Sequence, residues 1–202
     1  MRHRYGHLAV EYDRRWARYI EASVAGTLRR IDLAGVRDVL DVGCGTGTLL
    51  ERAARALPGR FVGLDLSLEM LEAARRKLGP RAGLVAGSAA TLPFRSRTFD
   101  LVVSTSALHH WRQPDAALTE IRRVLRSGGR VAITDWCGDH WLVRLRDRVL
   151  RRLEPAHGRV WRSVELAALL ADAGFSDIRI ERWRIGIRWS LMTGTATASA
   201  AP

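Results

Sequence analysis

The sequence predicts an α/β protein whose open sheet is doubly wound, mostly parallel, and completed by an antiparallel hairpin. Three observations lead to this prediction. Short apolar segments alternate with amphipathic helical patterns between residues 38 and 134, as expected when helices connect parallel strands. Residues 38–42 are rich in Val and Leu, which is typical of a strand buried on both faces. Two strand-like segments, 175–185 and 187–192, meet at Gly186 and predict the hairpin.

The individual elements follow from hydrophobic spacing and from helix-ending residues. A first helix is predicted from residue 9 to about residue 30, because one face carries Tyr12, Trp16, Tyr19 and Ile20. Later helices are expected to end at Pro58-Gly59, Gly79-Pro80, Ser127-Gly128-Gly129 and Gly174. The predicted strands before the hairpin cover residues 38–42, 60–64, 82–86, 99–104 and 130–134. An Arg-rich amphipathic helix is predicted over residues 141–153.

Composition narrows the class of protein. The chain has 202 residues, of which 47% are hydrophobic, enough for the core of one ordinary domain. No apolar run reaches the roughly 18 residues of a membrane span, and no signal peptide follows the N-terminal charges. We therefore expect a cytoplasmic protein. Cys44 and Cys137 make no metal-binding pattern, so no metal site is predicted, and a structural disulfide is not expected.

The net charge of +12 comes almost wholly from arginine, since Lys77 is the only lysine. The arginines are spread over many helices and form no single block. This distribution favours a solvated basic surface over a nucleic-acid partner. Nucleic acid remains an alternative partner, and nothing in the sequence indicates the oligomeric state.

A glycine-rich loop follows the first strand. Gly43, Gly45 and Gly47 alternate with small residues directly before a helical pattern. Their G-x-G-x-G spacing differs from the G-x-G-x-x-G of dinucleotide-binding proteins. Glycines let the backbone approach a ligand closely, and a helix start offers unpaired N–H groups. The loop therefore predicts a nucleotide-like ligand at the carboxyl end of the strand.

An acidic residue, Asp65, ends the second strand 22 positions after Gly43. A carboxylate can accept hydrogen bonds from both vicinal hydroxyls of a ribose, and an acid at this place commonly does so. Alternatively, Asp65 only begins a turn before an N-cap at Ser67.

These motifs, with Leu92-Pro93-Phe94 and residues 125–130, closely resemble the class I S-adenosylmethionine-dependent methyltransferases, in their ubiquinone/menaquinone-biosynthesis-like branch. The resemblance covers about residues 36–135. It implies a Rossmann-like sheet of seven strands, S-adenosyl-L-methionine as cofactor, and a small-molecule methyl acceptor. It also implies a set of cofactor-binding positions, which are Asp41, Gly43, Cys44, Gly45, Gly47, Asp65, Leu66, Met70, Ser88, Ala89 and Ser104.

One position departs from this family. Ser88 stands where the family usually has an acid near the adenine amino group.

The resemblance predicts one methyltransferase domain with four parts. These are an N-terminal helical cap (1–35), a cofactor-binding core (36–135), a substrate-side part (136–192) and a flexible tail (193–202).

Candidate catalytic residues follow the fourth and fifth strands. His109 and His110 are candidate general bases, because imidazole titrates near neutral pH. Asp135 ends the fifth strand and could orient the substrate. Alternatively, one of the two histidines packs against or caps the next helix. Asp135, likewise, could cap the helix that follows it. A base is needed only if the acceptor must lose a proton.

Aromatic residues are the candidates for the acceptor pocket. Methyltransferases of the resembled class often cover their substrate with an N-terminal segment, whereas the alternative is a helix that simply packs on the sheet. The pocket residues predicted in this way are Tyr5, Tyr12 and Trp16, and Trp111 and Trp136 are added because they follow the fourth and fifth strands.

The acceptor is expected to be a small molecule with an oxygen or carbon nucleophile. The fourth strand ends in Ser104-Thr105-Ser106-Ala107, not in the Asn-Pro-Pro-Tyr-type tetrad of amino-methylating DNA enzymes. Three alternatives remain open: an RNA-associated methyltransferase, a non-catalytic cofactor-binding module and, less favoured, an NAD-dependent oxidoreductase.

Overall fold

The computed structural model describes residues 9–139, 143–145, 147–148, 158–187 and 189–199, with side chains from residue 13 onward. The helices are α1 (Ala9–Leu28), α2 (Thr48–Ala56), α3 (Leu68–Leu78), α4 (Pro114–Val124) and α5 (Ser163–Asp172). The strands are β1 (Asp38–Val42), β2 (Arg60–Asp65), β3 (Ala82–Ala86), β4 (Phe99–Thr105), β5 (Leu125–Trp136), β6 (Ser176–Ile185) and β7 (Trp189–Thr197).

The seven strands form one sheet in the order β3-β2-β1-β4-β5-β7-β6. Strands β1 to β5 pair in parallel, whereas β7 runs antiparallel to both β5 and β6. The predicted mostly parallel sheet with a terminal antiparallel hairpin is thereby confirmed. The strand order reverses at β1. From β1 the chain runs outward through β2 to β3 and then returns to β4 on the other side of β1. Crevices that bind ligands form at such switch points, outside the carboxyl ends of the strands.

The core lies on both faces of the sheet, because neighbouring residues of a strand point to opposite faces. Val39 packs with residues of α1, α2 and α3, whereas Leu40 packs with residues of α4 and α5. Both side chains are almost fully buried. The helices thus cover both faces of the sheet, as the apolar composition of β1 predicted.

The boundary between α4 and β5 differs from the prediction. The helix ends at Val124, and the strand begins at Leu125, five residues before the predicted start. Gly128 N–H donates to the carbonyl of Ala198, and Ala198 N–H donates to the carbonyl of Gly129. These partners come from the far end of the chain, so a local pattern could not reveal them.

The predicted flexible tail is wrong for residues 193–197, because β7 continues to Thr197. Thr193 is buried, and its hydroxyl bonds that of Thr134 at 2.8 Å and accepts from Trp183 Nε1 at 3.0 Å. The segment is small and polar, but its threonines are β-branched residues that suit a strand. Residues 200–202 lie outside the described residues.

Most of the helix predicted over residues 141–153 also lies outside the described residues. Within the part of the chain that the structure describes, no helix is both long and apolar enough to span a membrane.

Candidate active site

A cavity of about 740 Å³ opens at the carboxyl ends of β1, β2 and β4. The glycine loop forms its floor, and α1 and the residues after β4 and β5 form its walls. Its volume suits a small-molecule ligand. The position is the one that the switch in strand order predicts.

The glycine loop has a backbone shape that requires glycine. Gly43, Gly45 and Gly47 have φ values of 76°, 52° and 79°, in the region that L side chains rarely adopt. The N–H groups of Gly43 and Cys44 donate to the carbonyl of Leu64 at 2.7 and 3.0 Å. A Cβ on Gly43 would lie 2.5 Å from the Cβ of Ala107. The loop is therefore held tightly between β2 and the segment after β4.

The Asp65 carboxylate faces the cavity and is fixed by backbone groups. Its Oδ2 accepts from Gly45 N–H at 2.8 Å, and its Oδ1 accepts from Ser67 N–H at 2.9 Å. Burial raises the pKa of Asp65, although hydrogen bonds from the backbone oppose this shift. Ser67 also caps α3, since its hydroxyl accepts from Met70 N–H at 3.3 Å. Asp65 thus both begins the turn and lines the cavity.

The Asp41 carboxyl lies buried in the cavity lining, beside the glycine loop. Its Oδ1 has no hydrogen-bond partner among the described residues. Burial, together with the negative charge of Asp65, raises the pKa of Asp41 to about 8. An unpartnered buried carboxyl is costly, and a cationic ligand group would complement it.

Most of the other predicted cofactor positions also line the cavity. These are Cys44, Leu66, Met70, Ser88 and Ala89. Gly47 and Ser104 are not among the lining residues. Gly47 packs against α3, where a Cβ would lie 2.7 Å from Leu78 Cδ1. The Ser104 hydroxyl donates to the carbonyl of Val42 at 2.7 Å and joins β4 to β1.

His109 and Asp135 form a buried pair on the cavity wall. The Nδ1 atom of His109 lies 2.8 and 3.0 Å from the two Asp135 carboxylate oxygens. His109 N–H also donates to Asp135 Oδ2 at 2.9 Å, and Trp136 N–H donates to Oδ1 at 2.6 Å. Burial alone would raise the pKa of Asp135, but the His109 imidazole and these hydrogen bonds lower it. Only His109 of this pair lines the cavity; Asp135 lies behind it.

The Trp136 indole stacks on the His109 imidazole, with ring centroids 4.6 Å apart and planes 11° apart. Trp136 Nε1 donates to the Tyr19 hydroxyl at 2.8 Å, and that hydroxyl bonds Ser106 Oγ at 2.7 Å. His110 lines the cavity too, with its ring 3.9 Å from that of His109. Helix α1 is thereby linked to the wall that carries the buried pair.

Sequence reasoning missed Trp189 as a site residue. Its ring lies 5.6 Å from that of Trp136, 5.0 Å from that of Tyr19 and 5.9 Å from that of Trp16. Trp189 begins β7, and its strand pattern gave no signal of a pocket. Tyr19 was visible on the aromatic face of α1, but it was not among the predicted pocket residues.

Three of the predicted pocket residues, Trp16, Trp111 and Trp136, line the cavity. The side chains of Tyr5 and Tyr12 lie outside the described part of the chain. Among the described residues, no group of three or more His, Cys, Asp or Glu side chains could hold a metal ion.

The chain is similar to known methyltransferases in sequence and in fold. Residues 40–133 match a family described as a methyltransferase domain. The demethylmenaquinone methyltransferase of Lactiplantibacillus plantarum is 31% identical over 187 residues, which cover 79% of each chain. The fatty-acid O-methyltransferase of Mycolicibacterium smegmatis is 40% identical over 112 residues, which cover 54% of this chain and 40% of that one. The chain spans about half the length of two other curated relatives.

A solved S-adenosylmethionine-dependent methyltransferase of Mesorhizobium loti has the same fold, with a TM-score of 0.72 at 18% identity. The alignment covers 86% of this chain and 96% of that one. The orphaned Asp41 carboxyl and the Asp65 carboxylate fit a ligand with an ammonium group and a ribose. The chain therefore belongs to the class I S-adenosylmethionine-dependent methyltransferases, in the branch similar to the ubiquinone/menaquinone-biosynthesis enzymes, with S-adenosyl-L-methionine as cofactor.

Proposed function

We propose that the protein methylates an oxygen or carbon nucleophile of a small-molecule acceptor, with His109 as general base. The observation that carries this proposal is the buried His109–Asp135 pair on the cavity wall. A general base is needed only when the acceptor must lose a proton, so the pair favours an acceptor that binds in its protonated form.

The proton positions follow from the contacts of the pair. The Asp135 carboxylate can only accept a hydrogen bond from His109 Nδ1. We therefore assign the imidazole proton to Nδ1, which makes the Nε2 lone pair the base. The lowered pKa of Asp135 keeps it ionised near neutral pH. Its negative charge then stabilises the imidazolium that forms when Nε2 takes the acceptor proton.

The glycine loop and the two carboxyl groups hold the cofactor in this proposal. Asp41 faces the ammonium group of the methionine end, and Asp65 accepts from the ribose hydroxyls. The cofactor supplies a methyl group on a sulfonium, which is already an activated leaving group. The protein mainly aligns the reacting atoms, and the aromatic wall around Trp136 keeps water away from them.

The buried pair favours a hydroxylated ring as acceptor. A hydroquinol must lose a proton before or during the attack by its oxygen or ring carbon, and demethylmenaquinone is named as the substrate of one relative. A fatty acid, named for another relative, is already ionised at neutral pH and needs no base. A carboxylate acceptor is a second candidate, because Arg15 and Arg112 line the cavity.

We favour a small molecule over nucleic acid because many arginines are paired within the fold. Arg126 bonds Asp38 and Asp100 at 2.8 and 2.5 Å, and Arg130 bonds Asp32 at 2.5 Å. These pairs neutralise part of the basic surface.

The test is methyl transfer from isotopically labelled S-adenosylmethionine to a reduced demethylmenaquinone and to a fatty acid. We expect labelled hydroquinol product, and a fall in kcat of about 10²–10⁴-fold in His109→Gln and Asp135→Asn. Binding of S-adenosylhomocysteine should stay within about twofold in both variants. Methylation of the fatty acid that is unaffected by His109→Gln would instead establish the second candidate. Unchanged hydroquinol methylation in both variants would refute the base.

A further inference from the structure

Lys77, near the end of α3, joins three parts of the molecule. Its ammonium lies 2.5 Å from Asp13 Oδ2 and donates to the hydroxyls of Thr46 and Thr48 at 3.1 and 2.8 Å. The Thr46 hydroxyl in turn donates to Asp13 Oδ1 at 2.6 Å. Helix α1, the glycine loop and the first turn of α2 therefore meet at one ammonium group.

This cluster borders the cofactor side of the cavity. Thr46 and Thr48 both line the cavity, and Thr46 is only 4% exposed. The Lys77 side chain is 22% exposed and that of Asp13 is 39% exposed, so the ion pair is partly shielded from water. Trp16, less than one turn after Asp13, is a cavity wall residue.

The other end of α1 is anchored independently. The Thr27 hydroxyl bonds that of Thr134 at 2.8 Å, and both side chains are fully buried. Breaking the contacts of Lys77 should therefore free the N-terminal part of α1 and leave the rest of the helix in place.

We infer that Asp13 and Lys77 are positioning residues, whose ion pair latches the N-terminal part of α1 to the glycine loop over the bound cofactor. They act on the cofactor through Thr46 and Thr48. Opening the latch releases Trp16 from the cavity wall. It also removes the hydrogen bonds of Thr46 with Lys77 and Asp13, which hold the loop. Cofactor affinity should then fall, and cofactor release should accelerate. The inference rests on the cofactor and is independent of the acceptor.

The latch and the cofactor must affect each other equally. If the latched form binds the cofactor more tightly by some factor, then a saturating cofactor makes unlatching rarer by that same factor. The effect of the latch on Kd and the effect of the ligand on unlatching can be measured separately, and the two factors should agree.

The first measurement is calorimetric binding of S-adenosylhomocysteine to the full chain. We expect Lys77→Met and Asp13→Asn to raise Kd about tenfold, with faster dissociation in stopped flow. Lys77→Arg keeps the charge and several donors, so it should stay within about threefold of the parent. The matched control is Glu21→Gln, which breaks the ion pair of Glu21 with Arg52 between α1 and α2. Neither Glu21 nor Arg52 lines the cavity, so Kd should not change.

The second measurement uses the fact that Lys77 is the only lysine in the chain. Amine acylation, followed by peptide mass spectrometry, reports on Lys77 separately from the N-terminal amine. Saturating S-adenosylhomocysteine should slow acylation of Lys77 by about the factor by which Lys77→Met raises Kd.

Three results would overturn the latch. They are an unchanged Kd in Lys77→Met, acylation of Lys77 at the same rate with and without ligand, and an equal rise of Kd in the Glu21→Gln control. Because these tests need no methyl acceptor, their outcome is separate from that of the proposed function.

Discussion

The two halves of the cavity are built in different ways. The half that we assign to the cofactor, called the cofactor half, is built mainly from two short segments, residues 41–47 and 65–70, and backbone hydrogen bonds fix its shape. The half that we assign to the acceptor, called the acceptor half, is built from side chains of α1, of the residues after β4 and β5, and of the start of β7. Tyr19 and Trp189 lie at nearly opposite ends of the described chain, yet their rings are 5.0 Å apart.

This difference predicts different responses to substitution. A backbone-built site depends on a few residues that fix several backbone groups at once, so one change there should abolish binding. A wall of side chains shares its contacts among many residues, so single changes there should give graded effects. The following experiments test that contrast.

Asp65→Ala should give the largest effect on binding. The substitution removes the proposed ribose acceptor and leaves the N–H groups of Gly45 and Ser67 without this partner. We expect S-adenosylhomocysteine affinity to fall at least about 100-fold in calorimetry, since roughly two charge-assisted hydrogen bonds are lost. The matched control is Asp100→Ala. Asp100 also accepts from two backbone N–H groups, those of Arg37 and Asp38, but it is not among the cavity-lining residues. Binding by Asp65→Ala within threefold of the parent would contradict the backbone-built cofactor half.

Asp41 should make cofactor binding depend on pH. Its pKa of about 8 means that the carboxyl is mostly protonated below that pH. The ammonium group of the ligand pairs with the carboxylate form of Asp41, so a proton must leave on binding. Affinity for S-adenosylhomocysteine should therefore rise roughly tenfold per pH unit between pH 6 and 7.5. Calorimetry in buffers of different ionisation enthalpy measures the released proton. Asp41→Asn should bind weakly and with little pH dependence; a parent affinity that is flat over this range would exclude Asp41 as the partner.

The placement of the glycine loop and Asp65 at the cavity could be predicted from the sequence because its determinants are local. The glycine loop and Asp65 each lie at a strand end, and their spacing alone brings them together in a parallel sheet. His109 and Asp135 were each predicted for the same reason. Their direct pairing was not predicted, because it depends on the register of β4 and β5, in which Thr105 faces Thr134.

The acceptor half could not be assembled from local patterns. Trp189 belongs to a strand that the sequence placed partly in a flexible tail, and its neighbours Trp16 and Trp136 come from distant segments. Such contacts arise only when β7 inserts between β5 and β6. The spacing of aromatic residues in the sequence does not predict that insertion.

Trp189→Ala tests the acceptor half alone. Losing three ring contacts should raise the acceptor KM about five- to tenfold and lower the free energy of unfolding by about 2–3 kcal/mol. Cofactor affinity should stay within about twofold. The control is Trp183→Ala, on the neighbouring strand β6, whose ring packs over Arg30 and is not among those lining the cavity. It should lose similar stability in chemical denaturation but keep the parent KM. Equal KM changes in both variants would mean that the hairpin matters only for stability.

Tyr19→Phe should give the smallest effect. Its hydroxyl accepts from Trp136 Nε1 and bonds Ser106 Oγ, so its loss should cost about 1 kcal/mol of unfolding free energy. Because Trp136 also stacks on His109, the wall should keep its shape, and kcat/KM should fall only about threefold. Denaturation curves and steady-state kinetics on the same preparation measure both quantities. A fall in kcat above about 100-fold with unchanged stability would show that the hydroxyl takes part in proton transfer. The acceptor half would then depend on a single group as strongly as the cofactor half does, and the contrast between the two halves would fail.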